Sequence, residues 1–300
     1  MIAFESIRNF LVLGGGTMGL RIGLQAALSG YDTVIYDIHE KAFDDARRTQ
    51  ASILRHLTRQ SRITEEEAAA ATDRISFTTD PFAAGKDADF VSESVPEDLE
   101  LKRRVWRAFG TSCPAHAILT TNTSYLLPSS FAADTGAPER FCAFHFHDVF
   151  HANVVDIMPH PSTDPHVIGL LQRMGERLGQ TPVTMERESP GYIFNAMLMA
   201  FIGSAGALLS NGIASAEDID RSWMGNFKMD MGPFGILDTI GLDTAWHVTS
   251  NQSDARSRRF AEVLKGYVDE GRLGVKTGAG FYTYPNPAYA EKDFIKGKNG

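Results

Sequence analysis

Ile7-Arg8-Asn9-Phe10-Leu11-Val12-Leu13-Gly14-Gly15-Gly16-Thr17-Met18-Gly19 sets the reading of the first half of the chain. The apolar run 7–13 reads as a buried strand. Glycines follow at once. Beyond Gly19, apolar residues recur at helical spacing through Ile22, Leu24 and Ala27, and Gly30 stops them. Thr33-Val34-Ile35-Tyr36-Asp37 then reads as a second strand. Strand, helix and strand within about 30 residues form a βαβ unit, which implies a parallel sheet.

The glycine run fits G-x-G-x-x-G, and it sits where that pattern has a mechanism, after a strand and opening a helix. Gly14 makes the tight turn, Gly16 lets a pyrophosphate approach the backbone, and Gly19 lets helix and strand pack closely. Thr17 and Met18 open the helix, whose unpaired N–H groups face the phosphates. Asp37 lies 18 residues beyond Gly19, at the end of the second strand. A carboxylate there accepts hydrogen bonds from both ribose hydroxyls and repels a 2′-phosphate. Glu40 adds to that repulsion. NAD is therefore the expected cofactor, ahead of NADP. FAD is set aside because the chain is short for most FAD enzymes and its second half is helical.

A polar helical stretch at 41–71 follows. Thr64 with Glu67 makes a capping box, so the stretch reads as two helices broken near Ser61. Further strands are expected at 75–77, 89–92, 118–121, 141–145, 154–158 and 182–185. After Ser189 the texture changes. Pro190-Gly191 opens a helix running to about residue 209, Ser215 and Asp218 cap another, and helix follows helix to about 271. The expected fold is α/β: an N-terminal Rossmann-type domain with a mostly parallel sheet at 1–188, and an all-α C-terminal domain at 189–300.

Composition narrows the function. A net charge of −8 argues against a nucleic-acid partner, which calls for a basic face. No apolar run approaches the roughly 20 residues of a membrane span, and no secretory signal is read at the N-terminus. Cys113 and Cys142 lack metal or redox spacing and read as free thiols of a cytoplasmic protein.

Phe144-His145-Phe146-His147-Asp148-Val149-Phe150-His151 is expected to end the sixth strand. Ligands of such sheets bind at the C-terminal strand ends. Hydride transfer at a ketone needs a proton donor at the new alkoxide, and the reverse needs a base. Histidine serves both. His145 is the candidate acid–base. Asp156, on the next strand, is the candidate that orients it, with Asp148 the alternative. His147 and His151 read as solvated loop residues. The spacing of His145 and His147 is chelate-like, but no second compact ligand set accompanies it, and no metal is expected.

Taken together, the motifs resemble the 3-hydroxyacyl-CoA dehydrogenase family over nearly the whole chain. Beyond the glycine fingerprint and Asp37, the segment from Glu93 through Glu97 to Lys102 resembles its E-x-x-x-E-x(4)-K. Asn122-Thr123-Ser124 resembles its N-T-S turn, and Ala143-Phe144-His145-Phe146 its histidine strand. Pro190-Gly191-Tyr192-Ile193-Phe194-Asn195 is similar to the opening of its second domain. Met231-Gly232-Pro233-Phe234, Leu237-Asp238, Gly241-Leu242-Asp243 and Lys276-Thr277-Gly278-Ala279-Gly280-Phe281-Tyr282 are similar to its later signatures. The resemblance implies that His145 is the acid–base at the substrate's C3 oxygen and that Ser124 donates a hydrogen bond there. It places Asn195 near the substrate carbonyl, and Glu97, Lys102 and Asn122 on the cofactor side. It also implies a homodimer built through the helical domain.

The chain departs from the family at two points. The family follows its histidine with F-N-P, where this chain has His147 and Asp148, or neighbouring residues if the loop is aligned differently. The family's orienting glutamate stands twelve residues after the histidine, whereas Asp156 stands eleven after. A shorter loop and a shorter side chain either compensate or leave the pair longer and weaker. An acid at 148 would disfavour an anionic group and favour a polyol or a second ketone. Arg47, Arg48, Arg55, Arg59 and Arg62 on the helical excursion either meet CoA phosphates or are solvated. The expected activity is NAD-dependent interconversion of 3-hydroxyacyl and 3-ketoacyl groups. The alternatives are a free 3-hydroxy-acid dehydrogenase of the L-gulonate type and a diketo ester reductase. The partner is a small molecule, acyl-CoA or free keto or hydroxy acid. Ser124, His145 and Asn195 together weigh against a non-catalytic NADH-binding protein.

Overall fold

The computed structural model describes residues 2–297. The chain forms two compact units, Met1–Ile193 and Phe194–Gly300. The first contains β1 (Asn9–Leu13), α1 (Thr17–Leu28), β2 (Asp32–Tyr36), α2 (Lys41–Arg59), α3 (Glu65–Asp73), β3 (Ile75–Thr78) and α4 (Pro81–Gly85). It continues with β4 (Phe90–Glu93), α5 (Leu99–Ser112), β5 (Ile118–Thr121), β6 (Phe141–Asp148), β7 (Ala152–Met158), α6 (Pro165–Arg177) and β8 (Thr181–Thr184). The eight strands form one sheet in the order β3-β2-β1-β4-β5-β6-β7-β8. Every adjacent pair is parallel except β6 with β7.

Successive side chains on a strand point to opposite faces. Phe10, Val12, Phe90, Ile118, Phe144 and Phe146 accordingly pack on one face with residues of α1 and α6. Leu11, Leu13, Val91, Leu119 and Phe141 pack on the other with Trp106 and Phe109 of α5. A sheet covered on both faces has nearly continuous apolar strands, as here. The break between α2 and α3 falls as expected. Ser61 takes a left-handed φ of 55°. The Thr64 hydroxyl then accepts from Glu67 N at 3.1 Å, and the Glu67 carboxylate from Thr64 N at 2.8 Å.

One strand differs from its expectation. β6 runs on to Asp148 and turns directly into β7, so His145 lies within a strand and not at its end. Asp148 closes that turn, its carboxylate accepting from Phe150 N and His151 N at 2.9 and 3.0 Å. His147 is thus a strand residue, not a loop residue. The expected division at 188/189 also moves. Tyr192 packs with Ala143, Met158 and Met185 and gives its hydroxyl to Thr123 O at 2.7 Å, so the first unit reaches Ile193.

The second unit holds α7 (Phe194–Ser210), α8 (Ala216–Phe227), α9 (Pro233–Ile240), α10 (Leu242–Ser250) and α11 (Ala255–Asp269) around Ile202, Phe234, Leu237, Phe260 and Leu264. Its C-terminal segment is strapped down by two buried carboxylates. Asp238 accepts from Phe281 N, Tyr282 N and the Tyr284 hydroxyl at 2.9, 2.8 and 3.1 Å. Asp220 accepts from Phe234 N, Gly235 N and the Tyr282 hydroxyl at 2.9, 3.0 and 2.8 Å. A Cβ on Gly280 would stand 2.0 Å from Asp238 Oδ1, so only glycine passes there. Among the described residues, no helix is long and apolar enough to cross a membrane.

Replacing Asp238 by Ala strands two backbone N–H groups and a hydroxyl. The expected cost is about 3 kcal/mol, read as an earlier urea-unfolding midpoint. An unchanged midpoint would show that the strap carries no stability.

Candidate active site

The loop after β1 is made for close approach. Gly14 has φ 103°, and its N–H bonds to Tyr36 O at 2.8 Å. A Cβ on Gly19 would lie 1.9 Å from Gly14 O, so only glycine lets α1 start this near β1. A Cβ on Gly16 would meet nothing within 4 Å, so the space above the loop is open. No side chain caps α1 at Gly16, and the first N–H groups of the helix, at Thr17 and Met18, face that space. Asp37 is set beside the loop, its carboxylate accepting from Gly15 N at 2.8 Å and His39 N at 3.0 Å. Its remaining lone pairs are free for ribose hydroxyls. Open space, unpaired N–H groups and a fixed carboxylate together fit NAD.

Beside this loop, the ends of β4 and β5 hold a buried ionic knot. Lys102, 1% exposed, gives its ammonium to Glu93 Oε1 at 2.7 Å and Val95 O at 3.2 Å. Glu93 Oε2 accepts from the Thr121 hydroxyl at 2.7 Å. Glu97 stands 3.6 Å from the same ammonium. Its Oε1 accepts from the Thr123 hydroxyl at 2.5 Å and from the N–H groups of Ser124, Tyr125 and Leu126 at 3.0, 2.8 and 3.1 Å. Burial pushes the Glu97 carboxyl up, but the Thr123 bond, the Lys102 charge and the backbone donors outweigh it and hold it below the usual range. Glu97 is therefore an anionic staple under the Asn122-Thr123-Ser124 turn. Asn122 pins that turn to β6, its Oδ1 accepting from Phe146 N at 2.8 Å.

The turn carries Ser124 to His145. Ser124 Oγ lies 3.3 Å from His145 Nε2. On the other side of the ring, Nδ1 faces Asp156 Oδ2 at 3.5 Å, from the residue directly opposite His145 in the β6–β7 register. The pair thus forms, and it is long. The reason is its neighbour. His147, two residues along the same strand face, puts Nε2 2.8 Å from the same Asp156 oxygen. The two imidazoles meet edge to face, centroids 4.7 Å apart. Tyr192 stacks on His145 at 4.5 Å and 19°, fixing the ring plane. Burial holds the His145 imidazole below the usual histidine value. The Asp156 hydrogen bond opposes this, the neighbouring His147 adds to it, and the Asp156 and Glu97 charges oppose it more weakly.

Asp148, the alternative partner for His145, is engaged elsewhere. Its carboxylate closes the turn and meets Arg21 of α1 at 2.7 Å. Asn195 lies on the first turn of α7, half-buried within the second unit. Four site residues escaped the sequence reading in their present roles. Glu93 and Tyr192 stand in the sequence as letters of longer motifs, with nothing local to mark their contacts. His147 was assigned to a loop, and Arg21 was unremarked. The period-two spacing of His145 and His147 already pointed to a shared strand face, but not to their competition for Asp156. The other three are long-range partners with no local signature.

The chain matches two family models in succession: the NAD binding domain of 3-hydroxyacyl-CoA dehydrogenase at residues 9–189 and the C-terminal domain of that family at 191–284. A probable 3-hydroxyacyl-CoA dehydrogenase of Caenorhabditis elegans is 32% identical, over 94% of this chain and 97% of the relative. Among solved structures, a diketoreductase reported in dual catalysis of dicarbonyl compounds is 36% identical, with a TM-score of 0.89, covering 93% of this chain and 99% of that one. The (S)-3-hydroxybutyryl-CoA dehydrogenase of Ralstonia eutropha is 31% identical, with a TM-score of 0.82, covering 94% and 100%.

Replacing His147 by Gln removes a neighbour that lowers the His145 pKa and reduces competition for Asp156. Both changes favour the imidazolium, so His145 titrates at higher pH in the variant. Ring Cε1–H chemical shifts followed by NMR against pH measure this. A titration midpoint that stays put or falls would show that the two rings are uncoupled.

Proposed function

The chain belongs to the 3-hydroxyacyl-CoA dehydrogenase family, and on that footing we propose that it interconverts a 3-hydroxyl and a 3-ketone on a small acyl substrate. The Gly14–Gly19 loop and Asp37 would hold NAD, which would accept the hydride in oxidation and, as NADH, give it back in reduction. The observation that carries the reading is the line Ser124 Oγ, His145 Nε2, His145 Nδ1, Asp156 Oδ2, with steps of 3.3 and 3.5 Å on either side of the ring. Ser124 donates a hydrogen bond to the substrate oxygen. His145 Nε2 takes the hydroxyl proton in oxidation and returns it in reduction. Asp156 holds the Nδ1 proton and stabilises the imidazolium. Burial favours the neutral ring, which is the form that accepts a proton. Glu97 and Asn122 are assigned to the cofactor side because they hold the turn between His145 and the glycine loop. Lys102 acts through Glu97 and Glu93, since its ammonium is buried among them. Asn195 is assigned to the substrate carbonyl by family likeness.

A second reading, reduction of free dicarbonyl compounds, is favoured by the structural likeness to the diketoreductase. Against a CoA preference, Arg47 and Arg48 pair with acids on their own helix, Asp44 and Asp45. In its favour, Arg47 and Arg55 line a cleft of about 470 Å³ with Gln50, Thr72 and Phe77.

The proposal extends to a cytoplasmic homodimer. Cys113 and Cys142 are free and buried, as in a reducing compartment. Phe201, Leu208, Trp223 and Phe227 line an apolar groove on α7 and α8, with Phe227 64% and Leu208 43% exposed, an area that a second copy would cover.

His145→Ala is expected to lower turnover by roughly 10²–10⁴-fold with NADH binding retained. Near-normal turnover would remove His145 from the mechanism. NADH consumption with acetoacetyl-CoA, free acetoacetate and its simple ester separates the two substrate readings: a strong thioester preference supports the hydroxyacyl-CoA reading, and equal or better rates without CoA support the dicarbonyl one. Sedimentation of Phe227→Glu is expected to give monomer where the parent gives dimer. A monomeric parent at micromolar concentration would dismiss the dimer.

A further inference from the structure

The β6–β7 ribbon gathers three metal-ligating side chains, of which one, His147, has no part in the redox chemistry. His145 and His147 share one face of β6 because they are two residues apart. Asp156 stands opposite His145 on β7. Their donor atoms all lie within 4.8 Å of one another. Asp156 Oδ2 is 2.8 Å from His147 Nε2 and 3.5 Å from His145 Nδ1. Asp156 is 2% exposed and His145 4%, so neither donor can swing away into solvent. In the sequence the two histidines stand without a compact partner set. The structure supplies the missing ligand, and it is the same carboxylate assigned to catalysis.

We propose that His145, His147 and Asp156 form a His₂Asp site for a divalent cation of the zinc type, and that filling it switches the enzyme off. Two imidazoles and a carboxylate are a donor set that zinc takes in tetrahedral geometry, leaving one position for water or an anion. Zinc bonded at about 2.0–2.1 Å holds neighbouring donors roughly 3.3 Å apart. The separations about Asp156 Oδ2 bracket that value, and the two imidazole donors lie within 4.8 Å of each other, so filling the site draws the rings together. His147 is the residue that completes the set.

The inhibitory half rests on His145 being the acid–base. In the working state Nδ1 carries a proton toward Asp156 and Nε2 is free to accept one. A cation binding at Nδ1 displaces its proton and takes the electron pair of the broken N–H bond, and the neutral ring then carries its one proton on Nε2. The ring then faces Ser124 as an N–H donor with no lone pair, so it cannot take the substrate's hydroxyl proton. In reduction, giving up the Nε2 proton would leave an imidazolate in place of a neutral ring, which disfavours that direction as well. Asp156 meanwhile spends its charge on the metal.

The test uses the chelator-stripped whole chain, without a histidine tag, and Co²⁺ as the probe. One equivalent of Co²⁺ is expected to give visible d–d absorption of a low-coordinate N/O site, and Zn²⁺ to bleach it. His147→Gln should weaken Co²⁺ binding by at least the roughly 10–100-fold seen when a metal ligand loses only its hydrogen-bond partner. His151→Gln, on the exposed turn, should leave binding unchanged, and Zn²⁺ should inhibit the parent at concentrations that His147→Gln withstands. No Co²⁺ spectrum in the parent, or an equal one in His147→Gln, overturns the site while the acid–base assignment stands. A His147-dependent spectrum with full activity of the zinc-loaded parent overturns the switch and removes His145 from the chemistry.

Discussion

The register that sets His145 opposite Asp156 is the constraint on which the site depends. A slip of one residue would send His145 and His147 to the face where Phe144 and Phe146 now pack, and bring the phenylalanines to the cofactor side. Three independent ties prevent it. Phe144 and Phe146 are locked into the core against α6 and α1. Asn122 holds Phe146 N from the neighbouring turn. Asp148 closes the hairpin and is itself held by Arg21. The antiparallel pairing matters as much as the register, because it brings a carboxylate from a strand running the opposite way to the back of the imidazole.

The front of the imidazole is set by a different device. The Asn122-Thr123-Ser124 turn hangs from Glu97, whose single oxygen collects four donors, and Glu97 in turn faces Lys102 and Glu93 in the floor of the sheet. Buried ion pairs are weak evidence for stability, since desolvation offsets much of the attraction. Their value here is positional. A carboxylate oxygen held by four donors, with its partner oxygen facing an ammonium, has one orientation, and Ser124 inherits it. Tyr192 closes the arrangement by stacking on His145 while its hydroxyl grips the Thr123 carbonyl of the same turn.

The two halves of the chain announce themselves through motifs of different kinds. In the first unit the motif letters surround the chemistry. In the second, those around Asp220 and Asp238 are a folding device. Gly232 and Gly280 are glycines because a Cβ would press on Asp220 or Asp238, at 2.5 and 2.0 Å. The aromatic residues Tyr282 and Tyr284 bring hydroxyls to those same carboxylates. Burial pushes Asp220 up to about 6 even so, showing how far these groups are removed from water.

Some of this was legible from residue order alone. The βαβ unit, the glycine loop, Asp37 at its strand end, the capped break after α2 and the succession of helices beyond Ser189 are all local. Each is dictated by side-chain periodicity, by φ that only glycine tolerates, or by a cap three residues away, and such terms act between near neighbours whatever the rest of the chain does. The pairing of His145 with Asp156 was likewise readable as a candidate. What only the tertiary structure decided was how shared groups are divided. His147 takes the nearer place on Asp156, Arg21 occupies Asp148 from 127 residues away, and Lys102 is spent on Glu93 and not left at the surface. These outcomes follow from which donors packing brings within reach of a given carboxylate. That competition is settled in three dimensions, among residues whose spacing in sequence carries no trace of it.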